Sequence, residues 1–121
     1  MTEVQLVVQN IGDVVVVSLG SSTILDGITV EAVARRLFEL VDQQARRKIL
    51  LDFSQVKFLS SSMLGVLIRL QKRAGAIKGR VVIVGLRPEL HRVFKITRLD
   101  KIFNFYRDEA EALSSFEVYP G

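Results

Sequence analysis

Residues 49–70 read ILLDFSQVKFLSSSMLGVLIRL, and the parsing of this stretch decides the fold. Ile49-Leu50-Leu51 is a short apolar run, the pattern of a buried strand. Asp52-Phe53-Ser54-Gln55 interrupts it, and Asp52 is suited to cap a turn by accepting bonds from backbone N–H groups. A second short apolar piece, Val56 to Leu59, precedes Ser60, Ser61 and Ser62. From Met63 to Leu70 the apolar residues fall at helical spacing. The stretch therefore predicts a buried strand, a turn, a helix start marked by serine, and a buried helix. Serine is favoured at a helix start because its hydroxyl accepts a bond from an unpaired backbone N–H. One serine fills that role, and three in a row leave at least one hydroxyl to explain.

Upstream, Val4 to Val8 alternates loosely as a strand, and Asn10 to Asp13 reads as a turn with Gly12-Asp13 at its tip. Val14 to Leu19 is β-branched almost throughout and predicts a strand buried on both faces, paired with the first as a hairpin. Thr29 is the expected N-cap of a helix running to about Ala45, with Val30, Val33, Ala34, Leu37, Leu40 and Val41 on one face. Downstream, Gly75 and Gly79 are read as marking a helix end and turn before a buried strand, Arg80 to Val84. Pro88 opens a short helix to about Ile96, with Leu90, Val93, Phe94 and Ile96 inward. A loop, a strand from Ile102 to Tyr106, a helix from Asp108 to about Ser115 and a loose tail complete the chain. The order β-β-α-β-α-β-α-β-α, with right-handed crossovers, implies an α/β fold: a mixed, mostly parallel sheet with an N-terminal hairpin and about four helices. The expected core includes Val15, Val17, Leu50, Leu51, Leu64, Leu67, Ile68, Val82 and Ile83.

The chain has 121 residues and no linker or repeat, so residues 1–121 are expected to form a single domain. Seventeen basic and thirteen acidic residues give a net charge of +4, the balance of a soluble surface. No basic cluster is interleaved with aromatic residues, so direct nucleic-acid binding is not expected. There is no cysteine, which excludes disulfides and thiolate chemistry and fits a cytoplasmic protein. The N-terminus lacks a signal-peptide pattern, and no apolar run is long enough to insert into a membrane.

A search for chemistry returns little. His91 is the only histidine, no residue cluster has metal-ligand spacing, and no metal or cofactor is expected. Ser61 is not in a nucleophile elbow, and His91 reads as a surface residue of a short helix rather than a catalytic base. The glycines do not form a phosphate-binding fingerprint. Asp26, before Gly27, reads as a turn residue. The chain is therefore not expected to be an enzyme. The serines remain, with two uses: capping, or accepting a phosphate. A helix start, with its free N–H groups and partial positive charge, tolerates a phosphate, and the added charge can repel a partner.

At these residues the chain resembles the STAS domains of bacterial anti-sigma factor antagonists, of the sporulation and stress-response type. Their signature F-(M/I)-D-S-S-G-L-G is similar to Phe58-Leu59-Ser60-Ser61-Ser62-Met63-Leu64-Gly65. Val14 to Asp26 resembles the family's second strand and its L-D loop, and the run from Val81 to Leu113 resembles its tail. The resemblance implies the STAS fold and a phosphoacceptor at Ser61, with Ser62 matching the second serine and Asp26 the loop acid near the site. Ser60 stands where the family has Asp, and Met63, expected on the partner surface, where it has Gly. The implied activity is partner switching. The unphosphorylated protein binds an anti-sigma factor that is also a serine kinase and so releases a sigma factor. Phosphorylation parts the complex and a serine phosphatase resets it. The protein itself is expected to be a monomer or weak dimer. The alternatives are a stand-alone STAS subunit of a transporter or signalling complex, in which the serine is structural, and a small nucleotide hydrolase.

Overall fold

A computed structural model describes residues 6–20 and 27–117. Strands β1 (Leu6–Ile11) and β2 (Val14–Leu19) form an antiparallel hairpin. Its turn is Gly12-Asp13 alone, with Gly12 at φ 61°, so Asn10 and Ile11 belong to the strand. Helix α1 (Gly27–Asp42), β3 (Lys48–Asp52), α2 (Ser61–Ala76), β4 (Arg80–Val84), α3 (Pro88–Ile96), β5 (Asn104–Tyr106) and α4 (Glu109–Ser115) follow. The five strands lie in chain order, β1-β2-β3-β4-β5, and all pairs after the hairpin are parallel. The mixed, mostly parallel sheet and four helices agree with the expected fold class.

The register sorts the core. Leu51 lies opposite Val17 and Ile83, and Leu50 opposite Val16 and Val82. Side chains alternate across a strand. Val15, Val17, Ile49, Leu51, Val81 and Ile83 accordingly join one cluster with α1, α2 and α3. Val14, Val16, Leu50, Val82 and Val84 join another with Ala112, Leu113 and Phe116 at α4. The helices are thus divided between the two faces of the sheet, with α4 alone on the second.

Several expectations are corrected. Helix α1 begins at Gly27, which puts Thr29 inside its first turn rather than at the N-cap, and the helix ends at Asp42. Helix α2 runs through Gly75 to Ala76. The left-handed residue after it is Lys78, at φ 62°, and Gly79 N–H donates to Ala74 O at 2.7 Å in a Schellman-type closure. Gly79 is required for another reason: a Cβ there would lie 2.6 Å from the Arg47 carbonyl oxygen. Ile68 is only partly buried, and Ile96 is 76% exposed, because a two-residue step on a helix turns it away from buried Phe94. The last strand starts at Asn104, since a 3-10 turn at Leu99–Lys101 curls the chain before it. The other core expectations hold, from Leu64 at 8% exposed to Leu67 at 0%.

Candidate functional site

Because β2 to β5 run parallel, their C-terminal ends share one end of the sheet, and the serine segment emerges there from β3. Asp52 Oδ1 accepts from Ser54 N–H at 2.9 Å, the turn-capping role read from the sequence. Phe53 N–H donates to Val84 O at 2.9 Å and carries the strand pairing one residue further. Val56 N–H donates to Phe53 O at 2.9 Å, and both side chains are buried. These two plugs pin the first half of the loop. The second half then turns outward: Lys57 is exposed and Phe58 is 65% exposed.

Ser60 starts the helix. Its backbone is extended, at φ −80° and ψ 161°, and its Oγ accepts from Met63 N–H at 3.1 Å. Its carbonyl takes the first helical bond, from Leu64 N–H at 3.0 Å. With Ser60 as N-cap, Ser61 and Ser62 are the first two residues of α2. Both are exposed, and among the described residues neither hydroxyl has a hydrogen-bond partner. No acidic residue occupies this first turn, whereas α3 has Glu89 there and α4 has Glu109 and Glu111. The positive end of α2 has no carboxylate in its own first turn.

Met63, expected on the partner surface, is buried. It is 1% exposed and belongs to the core cluster of the α1–α2–α3 face. At the third helical position its side chain points back toward the sheet, in line with Leu67 and Leu70. Its contribution to the site is its backbone N–H, which holds Ser60. Ser62 opens on a cleft of about 400 Å³ between α1 and α2, with Glu31, Gly65 and Arg69 on its walls. Asp26 lies outside the described residues. Phe58 is the residue that sequence reading passed over, because it sits in an apolar run, FL, that looks buried. The signal was its separation from Val56 by charged Lys57 in a stretch with no ladder partner.

His91 differs from the exposed position expected of it: it is half-buried, its ring 4.9 Å from that of Phe105. Among the described residues no three His, Cys, Asp or Glu side chains converge as metal ligands, and no helix is long and apolar enough to cross a membrane. Among the described residues, the carboxylate with a displaced titration lies elsewhere. Asp13, in the hairpin turn, is held below its ordinary range by a 2.6 Å hydrogen bond from Lys48 Nζ.

A small α/β module, with a serine-started helix at the C-terminal end of a mostly parallel sheet, is the class of protein these features define. The chain matches the STAS domain model over residues 5–112 and belongs to that family. It is similar to the anti-sigma F factor antagonist of Paenibacillus polymyxa, 29% identical over 94 residues that cover 78% of this chain and 80% of that protein. Among solved structures it resembles an anti-sigma factor antagonist from Mycobacterium paratuberculosis, with a TM-score of 0.82, 27% identity and 95% of each chain covered. It shares its fold with Bacillus SpoIIAA in the phosphorylated form, with a TM-score of 0.72, 21% identity, and 93% of this chain and 99% of that one covered.

Proposed function

We propose that this chain is an anti-sigma factor antagonist, a binding module switched at Ser61. It binds an anti-sigma factor that is also a serine kinase and frees the sigma factor. The kinase moves a phosphoryl group from ATP to Ser61 Oγ, and a serine phosphatase removes it. The observation that carries this reading is the division of labour among the serines. Ser60 Oγ is engaged as the cap, at 3.1 Å from Met63 N, while Ser61 is exposed beside it. A phosphate on Ser61 adds close to two negative charges at a helix end that has no carboxylate of its own, so the fold tolerates it. The same charge, three residues from exposed Phe58, alters the surface a partner meets. Exposed aromatic residues are frequent anchors of interfaces, so Phe58 is assigned to the contact surface with Ser60 and Ser62 at its edge. Ser60, which stands where the family has Asp, supplies the cap oxygen.

The test is capture of partners from the native cell with the intact protein, with a phosphate map of the Ser60–Ser62 peptide. Recovery of an ATP-binding serine kinase, with phosphate on Ser61 in the unbound fraction, is the expected result. Ser61→Asp should then weaken that partner's binding and Phe58→Ala should weaken it too, while Ser61→Ala should bind and resist release by ATP. Recovery of a permease with unmodified serines, or unchanged affinity of Ser61→Asp for the kinase, would overturn the proposal.

A further inference from the structure

The two edges of the sheet are unlike. At one edge β5 has three residues, with exposed Arg107 directly after it. Short edge strands flanked by charge are the usual protection against pairing with another strand. At the other edge β1 has six residues, LVVQNI, with no charge and no proline. Its pairing to β2 is unbroken from Leu6 to Ile11, so no bulge twists the edge away. In an antiparallel ladder alternate residues turn their N–H and C=O outward, so about three residues of β1 present donors and acceptors that have no partner among the described residues. Val7 and Val8, on opposite faces of the strand, are 54% and 40% exposed. Beside them a cleft of about 200 Å³ runs between β1 and α1, floored by Leu6, Val8, Val17, Leu37 and Leu40.

From this edge we infer that the chain self-associates through β1, joining two sheets into one ten-stranded sheet about a two-fold axis normal to the sheet. The occupant is a second copy for three reasons. The unmet bonding groups require a strand, and a copy brings an identical one in the antiparallel sense. Leu6–Ile11 carries no charged residue, so pairing these six residues with their copies places no like charges opposite each other. The adjoining cleft carries Arg36, Arg46 and Glu39, with Arg46 donating to Asn10 Oδ1 at 2.7 Å, so each copy offers both signs to the other across the axis. A two-fold normal to the sheet keeps each face on its own side, so only residues of the same face lie opposite. Centring on Val8 satisfies this, sets Val8 against its counterpart and Leu6 against Asn10, and continues the apolar floor of one cleft into the other. The contact is one strand about 20 Å long, which makes a weak, concentration-dependent dimer. The inference does not depend on the switch at Ser61.

Sedimentation equilibrium of the full chain over a wide concentration range tests it. The wild type should show a reversible monomer–dimer equilibrium, unchanged in Ser61→Asp. Val8→Lys puts two charges face to face on the axis and should weaken the dimer about tenfold or more, with the far-ultraviolet spectrum unaltered. The chain has no cysteine, so Val8→Cys should give a reducible covalent dimer under mild oxidation, and Phe58→Cys, at a more exposed position, should not. A monomer at every concentration, or a dimer that Val8→Lys leaves intact, overturns the inference. Should Val8→Lys fail to fold, the cysteine pair decides: selective linkage at position 8 supports the edge, and its absence overturns it.

Discussion

The units β3–α2 and β4–α3 leave neighbouring strands in the same direction and end differently. Between β4 and α3 there are three residues, 85–87, and the helix opens on Pro88 and Glu89. Between β3 and α2 there are eight, 53–60, and the helix opens on a serine cap with no acid in its first turn. The first is what a crossover needs: proline preset for the first helical position and a carboxylate against the dipole. The second uses five more residues to carry Phe58 and the serines out of the fold. Arg87 makes the point from the other side, since its side chain makes no cap bond and its Nε is buried without a partner among the described residues. One connection is built to close the structure and the other to present a surface.

That contrast can be broken first in the packing that both units share. Leu67, fully buried on α2, is placed to tie the presented helix to the sheet. Leu67→Ala should destabilise by about 2–5 kcal/mol in urea titration, against a domain stability of roughly 5–15 kcal/mol. A loss below about 1 kcal/mol would mean the helix is turned the wrong way. At the junction of the two units, Gly79→Ala forces a Cβ onto the Arg47 carbonyl and should cost about 1–3 kcal/mol by the same measurement. The caps sharpen the comparison. Ser60→Ala should cost about 1 kcal/mol, and Arg87→Ala, at the equivalent position of α3, distinctly less. Equal losses would erase the distinction between the two helix starts.

The smallest effect lies where β3 begins. Lys48 there pairs with exposed Asp13 at 2.6 Å, whereas Arg80 at the start of β4 donates to Ser115 O at 2.5 Å and lies over the Phe116 ring. Asp13 is depressed by its hydrogen bond from Lys48, so its contribution is present above the unfolded carboxylate range and fades as pH falls through its folded value. The stability difference between wild type and Asp13→Asn should therefore be small at neutral pH and shrink as pH falls below the ordinary carboxylate range. A difference that grew on acidification would contradict the ion pair.

The sequence made the sheet legible because its strands are short apolar runs with little else in them. Val14 to Leu19, Ile49 to Leu51 and Arg80 to Val84 have no competing helical period. The end of α2 was harder, since Gly75 reads as a helix stop while the helix runs through it to Ala76. In the fold Gln71 bonds both Val81 N and O, at 2.8 and 3.1 Å, which no local pattern announces. The bonding role of Asp52 was legible because it is local, two residues wide. Which serine caps the helix was not, because all three satisfy the same preference and the choice falls to the burial of Met63. Met63, Leu67, Leu70 and Ala74 are spaced four, three and four apart, so that burial was readable by extending the helical period back across the serines. Which face of the sheet α4 covers depends on the direction of the chain after β5, a tertiary property.

That last helix has a bearing on how the protein is made. The strands are laid side by side in the order of translation, so each new strand finds its neighbour already in place. The second face of the sheet, with Val14, Val16, Leu50, Val82 and Val84, waits for Ala112, Leu113 and Phe116. Those residues leave the ribosome after every strand of the sheet. Until then the nascent chain carries a bare apolar sheet, and a ribosome stalled before α4 would release a product for chaperones or proteases to handle.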